Sequence, residues 1–143
     1  ALRVGLKAPE LVDLELAYAP QFGSAKDPIN QLGYVAENRL SGLSPACDWS
    51  QVDGLVKEGW QLVDVRTSAE TAEGIIPTAV NIPVDEIRDA PAKIDSDRVI
   101  VYCAVGQRAH VAASYLQSQG LQICNLDGGW STWELATRAQ NRG

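Results

Sequence analysis

Cys103 and Arg108, separated by four residues, are the two side chains whose types and spacing could do chemistry together. The run Arg98-Val99-Ile100-Val101-Tyr102-Cys103 is almost continuously apolar, as in a strand buried on both faces. A short loop with one glycine, Gly106, follows it, and Gln107 opens a segment with helical periodicity. Such a strand delivers Cys103 to a loop whose backbone N–H groups converge at a helix N-terminus. The first N–H groups of a helix are unpaired and the macrodipole is positive there, so negative charge is favoured. A thiol in that place is expected to give up its proton readily and to act as a nucleophile. The competing reading is an inert cysteine buried at a strand end.

The length of the loop separates two chemistries. A cysteine phosphatase needs five residues between cysteine and arginine to cradle a tetrahedral phosphate. Four residues leave a tighter ring of donors, sized for one sulfur atom bonded to the cysteine. The anion suited to it is a persulfide, Cys–S–S⁻, held by the N–H groups and the helix dipole. Gly106 lets the chain turn without a Cβ obstructing the ring.

The elements that must position this loop alternate. From Ala46 onward, helices are expected at 48–58, 68–73, 107–119 and 130–138, and strands at 61–66, 79–82, 98–102 and 121–126. Residues 84–94 read as one or two helical turns interrupted by Pro91. Alternation of this kind predicts an α/β fold with a central parallel sheet of about five strands and helices on both faces. Sites in such sheets lie beyond the carboxyl ends of the strands, where Cys103 falls. Residues 1–45 read differently. Ala19-Pro20, Phe22-Gly23-Ser24 and Asp27-Pro28 are turn signals, and Asp27 with Pro28 starts one helix. Ile29, Leu32, Ala36 and Leu40 recur on one face, which is expected to dock on something.

The chain of 143 residues carries 12 basic and 18 acidic residues, a net charge of −6, with no basic cluster. That balance argues against nucleic acid and anionic membrane as partners. No apolar run is long enough to span a bilayer, and no leader pattern opens the chain. The three cysteines form no C-x-x-C pair and the one histidine is His110, so no zinc site and no disulfide scaffold is expected. A reducing, cytoplasmic setting is the expectation. The chain begins with Ala1 and has no methionine, which suggests a piece of something longer.

Residues 48–133 resemble a rhodanese domain, the single-domain sulfurtransferase module. The matching pieces are Leu62-Val63-Asp64-Val65-Arg66, residues 70–74, Ile76-Pro77-x-Ala79-x-Asn81-Ile82-Pro83, the Cys103 loop, and Leu126-x-Gly128-Gly129-Trp130-x-x-Trp133. The resemblance implies that Cys103 accepts sulfur and that the N–H groups of Ala104, Val105, Gly106, Gln107 and Arg108 cradle the persulfide. It also implies that Arg108 attracts the anionic donor, with Asp64 and Arg66 as a supporting ion pair. Ile75 stands where many members have a histidine, with little effect expected on the chemistry.

The first residues carry a second resemblance. Asp13-x-Glu15-Leu16-Ala17-Tyr18-Ala19-Pro20-x-Phe22-Gly23-Ser24-Ala25-Lys26-Asp27-Pro28-x-Asn30 and Gly33-Tyr34-x-Ala36-Glu37-Asn38 look like the C-terminal end of a flavoprotein family. These are pyridine nucleotide-disulfide oxidoreductases of the coenzyme A-disulfide and persulfide reductase type, some of which carry a fused rhodanese domain. The resemblance implies two regions: 1–45, the tail of the flavoprotein dimerisation domain plus linker, and 46–143, the rhodanese domain. Tyr18 is the best match for a tyrosine that reaches the partner subunit's active site, with a turn-packing tyrosine as the alternative reading. FAD and the nicotinamide cofactor are expected only in the parent domains, since no Gly-rich dinucleotide fingerprint occurs here.

The expected function is sulfur transfer through Cys103, from a small-molecule donor to a thiol acceptor or to the neighbouring reductase site. The rival reading, from another class, is a regulatory module that binds an anion or a partner without turnover. Cys124 reads as core, Cys47 as a linker residue that could be exposed, with a resolving-thiol role as its alternative, and His110 as a helix residue that thiolate chemistry does not need as a base. Trp130 and Trp133 share one helix face and read as core, and Gly128-Gly129 as a tight turn.

Overall fold

The computed structural model describes residues 5–15, 27–42 and 45–141, and the chain divides into two compact units, 1–43 and 44–143.

In the first unit, a 3₁₀ segment at Ala8–Asp13 pairs with helix α1, Pro28–Leu40. The Asp27 carboxylate accepts from the Ile29 N–H at 2.8 Å and caps α1, with Pro28 at its first position. The Asn30 side-chain amide donates to the carbonyls of Leu11, Val12 and Leu14 at 2.9–3.1 Å. Gly33 is buried at the crossing, where a Cβ would lie 2.6 Å from the Val12 nitrogen. This is the face that packs. On α1 the apolar side chains Ile29, Leu32, Val35 and Leu40 are exposed. Tyr18 and the turn signals at 19–24 lie outside the described residues.

The second unit is a five-stranded, wholly parallel sheet in the order β1-β5-β4-β2-β3. Its strands are β1 Ala46–Cys47, β2 Gln61–Asp64, β3 Val80–Asn81, β4 Arg98–Tyr102 and β5 Gln122–Leu126. The alternation of side chains across the pleat builds two cores. Val99 and Val101 of β4, with Val63, Val65 and Ile123, face one side. There they meet Ala109, Ala112, Ala113 and Leu116 of α4, Gln107–Ser118. Ile100 and Tyr102, with Leu62, Cys124 and Leu126, face the other side. There they meet Val52 of α2, Val52–Lys57, and the tryptophans of α5, Gly129–Gln140. Each apolar side chain fully removed from water in these layers contributes about 1.5–3 kcal/mol, and β4, the middle strand, is buried on both faces.

A fifth helix, α3, Ser68–Ala72, is capped by Thr67. A 3₁₀ segment, Val84–Lys93, runs on through Pro91 where a break was expected. The missing fifth strand proved to be β1, two residues long and too short for any periodicity to announce. It corrects one expectation. Cys47 is not a solvent-open linker residue but a β1 residue 4% exposed, in the same core as Cys124. Among the described residues no helix is long and apolar enough to cross a membrane.

Candidate active site

β4 ends at Tyr102, and residues 103–106 form the loop that leads into α4. Gly106 caps the helix with φ +111°, a backbone state that side chains other than glycine's rarely adopt. That turn brings the Gly106 N–H to the Cys103 Sγ at 3.1 Å, while the Gly106 carbonyl accepts the His110 N–H at 2.9 Å and closes the first turn. Cys103 is 1% exposed and forms the floor of the loop, whereas Val105 at its rim is 64% exposed.

The loop is held from behind by a second helix. The N–H groups of Trp130 and Ser131, in the first turn of α5, donate to the carbonyls of Cys103 at 2.8 Å and Ala104 at 3.1 Å. In a trans peptide the N–H points opposite to the carbonyl, so pinning these two oxygens turns the N–H groups of Ala104 and Val105 away from α5. The approach is close. A Cβ on Gly129 would lie 2.2 Å from the Cys103 oxygen, and Gly129 itself has φ +56°. The Asn125 side-chain amide, on β5, lies 3.5 Å from the Gly106 carbonyl, and its own buried Oδ1 has no hydrogen-bond partner among the described residues.

Arg108 does not stand free at the mouth of the loop. Its guanidinium forks onto Glu70, Nη1 to Oε2 at 2.7 Å and Nη2 to Oε1 at 2.6 Å. Glu70 in turn accepts from the N–H and hydroxyl of Thr67 at 2.9 and 2.8 Å, so one carboxylate both caps α3 and holds the arginine. The Arg108 guanidinium and the Thr67 N–H hold the Glu70 carboxyl well below the usual carboxylate range. Glu70, and then the neighbouring Cys103 sulfur, hold Arg108 charged against partial burial. Both side chains remain about a third exposed, 35% and 37%.

Asp64 and Arg66 lie deeper. Arg66 donates Nε and Nη2 to Asp64 at 2.7–3.1 Å and Nη2 also to the Gly74 carbonyl at 2.7 Å. The pair is nearly sealed from water, at 4% and 0% side-chain exposure. The guanidinium lies 4.6 Å from the centre of the Trp130 ring, and Trp130 stacks on Trp133 at 5.4 Å. The pair thus braces the segment that starts α5 and, through it, the Cys103 loop.

Of the residues singled out from sequence, Cys103, Gly106 and Arg108 come together at the end of β4 with Ala104, Val105 and Gln107 around them. His110 lies half-buried one turn into α4. Cys47 and Cys124 lie in the core on the other side of the sheet from the residues packed with Cys103. The Cys47 thiol is pushed up by its hydrogen bond with Cys124 and by burial, which keeps it protonated. Sequence reasoning missed Glu70, Gly129 and Asn125 as parts of this site. The Thr67-x-x-Glu70 capping box was a visible signal for the first, and the glycine pair before a helix for the second. Nothing local marked Asn125.

Residues 48–136 match the family described as the Rhodanese-like domain. A sulfurtransferase of Allochromatium vinosum is 43% identical over 74 residues, covering 50% of this chain and 69% of that protein. The crystal structure of reduced Bacillus anthracis CoADR-RHD superposes with a TM-score of 0.90 at 37% identity over 96% of this chain. The structure of an NAD-dependent persulfide reductase from A. fulgidus superposes with a TM-score of 0.76 at 28% identity over 92% of this chain. This chain spans about a quarter of the length of each of those two, 25% and 24%.

Proposed function

The chain belongs to the Rhodanese-like domain family, and from that premise we propose that it is a sulfurtransferase in which Cys103 carries the moving sulfur as a persulfide. The observation that carries the reading is the Gly106 N–H on Sγ at 3.1 Å, inside a loop whose neighbouring N–H groups are aimed by the pinned carbonyls. The Cys103 thiolate attacks the outer sulfur of the donor. The donor's S–S bond breaks as the new Sγ–S bond forms, and the leaving group departs with the electron pair; from thiosulfate this is sulfite. The terminal sulfur then bears the charge inside the ring formed by the N–H groups of residues 104–108, at the N-terminal end of α4. A thiol acceptor takes that sulfur and frees Cys103. Two half-reactions through one covalent intermediate imply ping-pong kinetics.

Residues 1–45 are, in this reading, the C-terminal tail of a flavoprotein reductase fused to the sulfurtransferase. The likeness to the two long reductase chains over nearly the whole of this one supports it. FAD and a nicotinamide cofactor belong to the upstream domains, and the acceptor is then the reductase site or a thiol that it serves.

Mass spectrometry of the chain after incubation with thiosulfate tests the central step. One added sulfur is expected on wild type and none on Cys103→Ser. An unchanged wild-type mass, together with no Cys103-dependent cyanolysis, overturns the proposal.

A further inference from the structure

Each of the two arginines that the sequence places at the site is already committed to a carboxylate. Arg66 is closed onto Asp64 inside the fold, and Arg108 is forked onto Glu70 at the mouth of the loop. The Arg108–Glu70 pair is neutral as a unit, so Arg108 adds no net positive charge to the mouth. A free arginine would have presented a full positive charge to an incoming anion.

We propose that Glu70 is a specificity-determining positioning residue, which holds Arg108 in a neutral pair and thereby favours monoanionic sulfur donors over dianionic ones. The inference rests on the sulfurtransferase reading and deepens it by naming the preferred donor class: organic sulfane-sulfur compounds with one charge on the transferring group, with thiosulfate the poorer donor. The geometry makes Glu70 suited to the task. Its Oε2 is anchored by the Thr67 N–H and hydroxyl, so the carboxylate is fixed before any donor arrives, and its two oxygens take both terminal nitrogens of Arg108. Guanidinium and carboxylate in this bidentate form match in shape as well as charge. A dianion competing for Arg108 must displace or approach a preorganised carboxylate. A monoanion suffers half of that repulsion.

The test uses two donors that differ by one charge, thiosulfate and methanethiosulfonate. Both transfer a terminal sulfur to a thiolate, releasing sulfite and methanesulfinate respectively. Glu70→Gln keeps a hydrogen-bonding side chain and removes the charge. It should raise the ratio of kcat/KM for thiosulfate over methanethiosulfonate about tenfold, chiefly through the KM for thiosulfate. Glu70→Asp, which restores the charge, should return the ratio towards wild type. Glu70→Ala, run in parallel, should move the ratio in the direction of Gln even if overall activity falls, because a damaged fold lowers both donors together. A ratio that stays at the wild-type value, or falls, in both Gln and Ala variants overturns the inference. A second arm does not need turnover. Thiosulfate binding to the Cys103→Ser chain, measured by calorimetry, should tighten severalfold when Glu70→Gln is added, with methanethiosulfonate changing less. If wild type transfers no sulfur from either donor, the sulfurtransferase reading fails by itself. The binding arm then decides the role of Glu70, and equal affinities with and without Glu70→Gln overturn it.

Discussion

The backbone N–H of Trp130 donates to the carbonyl oxygen of Cys103 at 2.8 Å, so the start of the last helix holds the residue that follows the middle strand. The contact is possible because Gly129 has no side chain there. Gly129→Ala would bring a Cβ to 2.2 Å from that oxygen at a backbone angle of +56°. Backbone must shift, since the obstructing atoms are main-chain. We expect about 1–3 kcal/mol of destabilisation in urea unfolding and a loss of sulfur transfer larger than the stability change explains. Activity that tracks stability alone would refute a positioning role for α5.

Gly106 offers a contrast. Nothing lies within 4 Å of a Cβ built there, but φ is +111°. Gly106→Ala therefore tests backbone strain without a collision. Sulfur transfer should fall sharply, because the N–H on Sγ moves as the chain relaxes, while the melting temperature drops by only a few degrees. Wild-type turnover in this variant would show that the 3.1 Å contact is dispensable.

Glu70 also predicts a pH dependence of stability. Arg108 depresses its folded-state pKa, so the pair stabilises the fold above the ordinary glutamate pKa of about 4.3 and that contribution fades as pH falls below it. Glu70→Gln should be less stable than wild type at pH 7, and the gap should narrow steadily as pH falls below about 4. Because the side chains are about a third exposed, screening holds the gap to about 1 kcal/mol or less. Melting curves across that range check it; a gap that widens in acid contradicts the pairing.

Asp64→Ala leaves Arg66 charged and sealed from water. Removing one partner of a buried pair costs about 3–5 kcal/mol, so this variant should lose most of a small domain's stability. A double variant, Asp64→Leu with Arg66→Met, removes both charges and should recover part of the loss. Chemical denaturation of the three chains measures this; equal stability of wild type and Asp64→Ala would remove the bracing role assigned to the pair.

Cys47 and Cys124 are core thiols, Cys47 held protonated by its neighbour and by burial. Native protein treated briefly with iodoacetamide should leave both unlabelled on peptide mapping, and all three cysteines should react in denaturant. Fast native labelling of Cys47 would mean that β1 opens readily.

How much of this was legible follows from the range over which each signal acts. Strand β4 and helix α4 were readable because burial on two faces and a 3.6-residue stripe each repeat within a dozen residues. β1 was not, because two residues carry no period and its pairing to Asn125 and Leu126 is decided some 80 positions away. The stripe Ile29, Leu32 and Leu40 was real in the sequence, yet α1 uses Asn30 and Gly33 against its neighbour. There the polar hydrogen bonds to three carbonyls and the absence of a side chain decided which face packs. Arg108 lies in the first turn of α4 beside the loop, but its partner Glu70 sits 38 residues earlier and carries a local explanation, the cap on α3, that conceals the distant one.

Pinning the loop through its carbonyls has one more outcome. On the proposed reading the sulfur's seat is made of amides, which every residue except proline supplies. Positions 104, 105 and 107 become an alphabet open to nineteen letters: drift there can rewrite which molecules dock at the rim, Val105 foremost, while the seat keeps its shape.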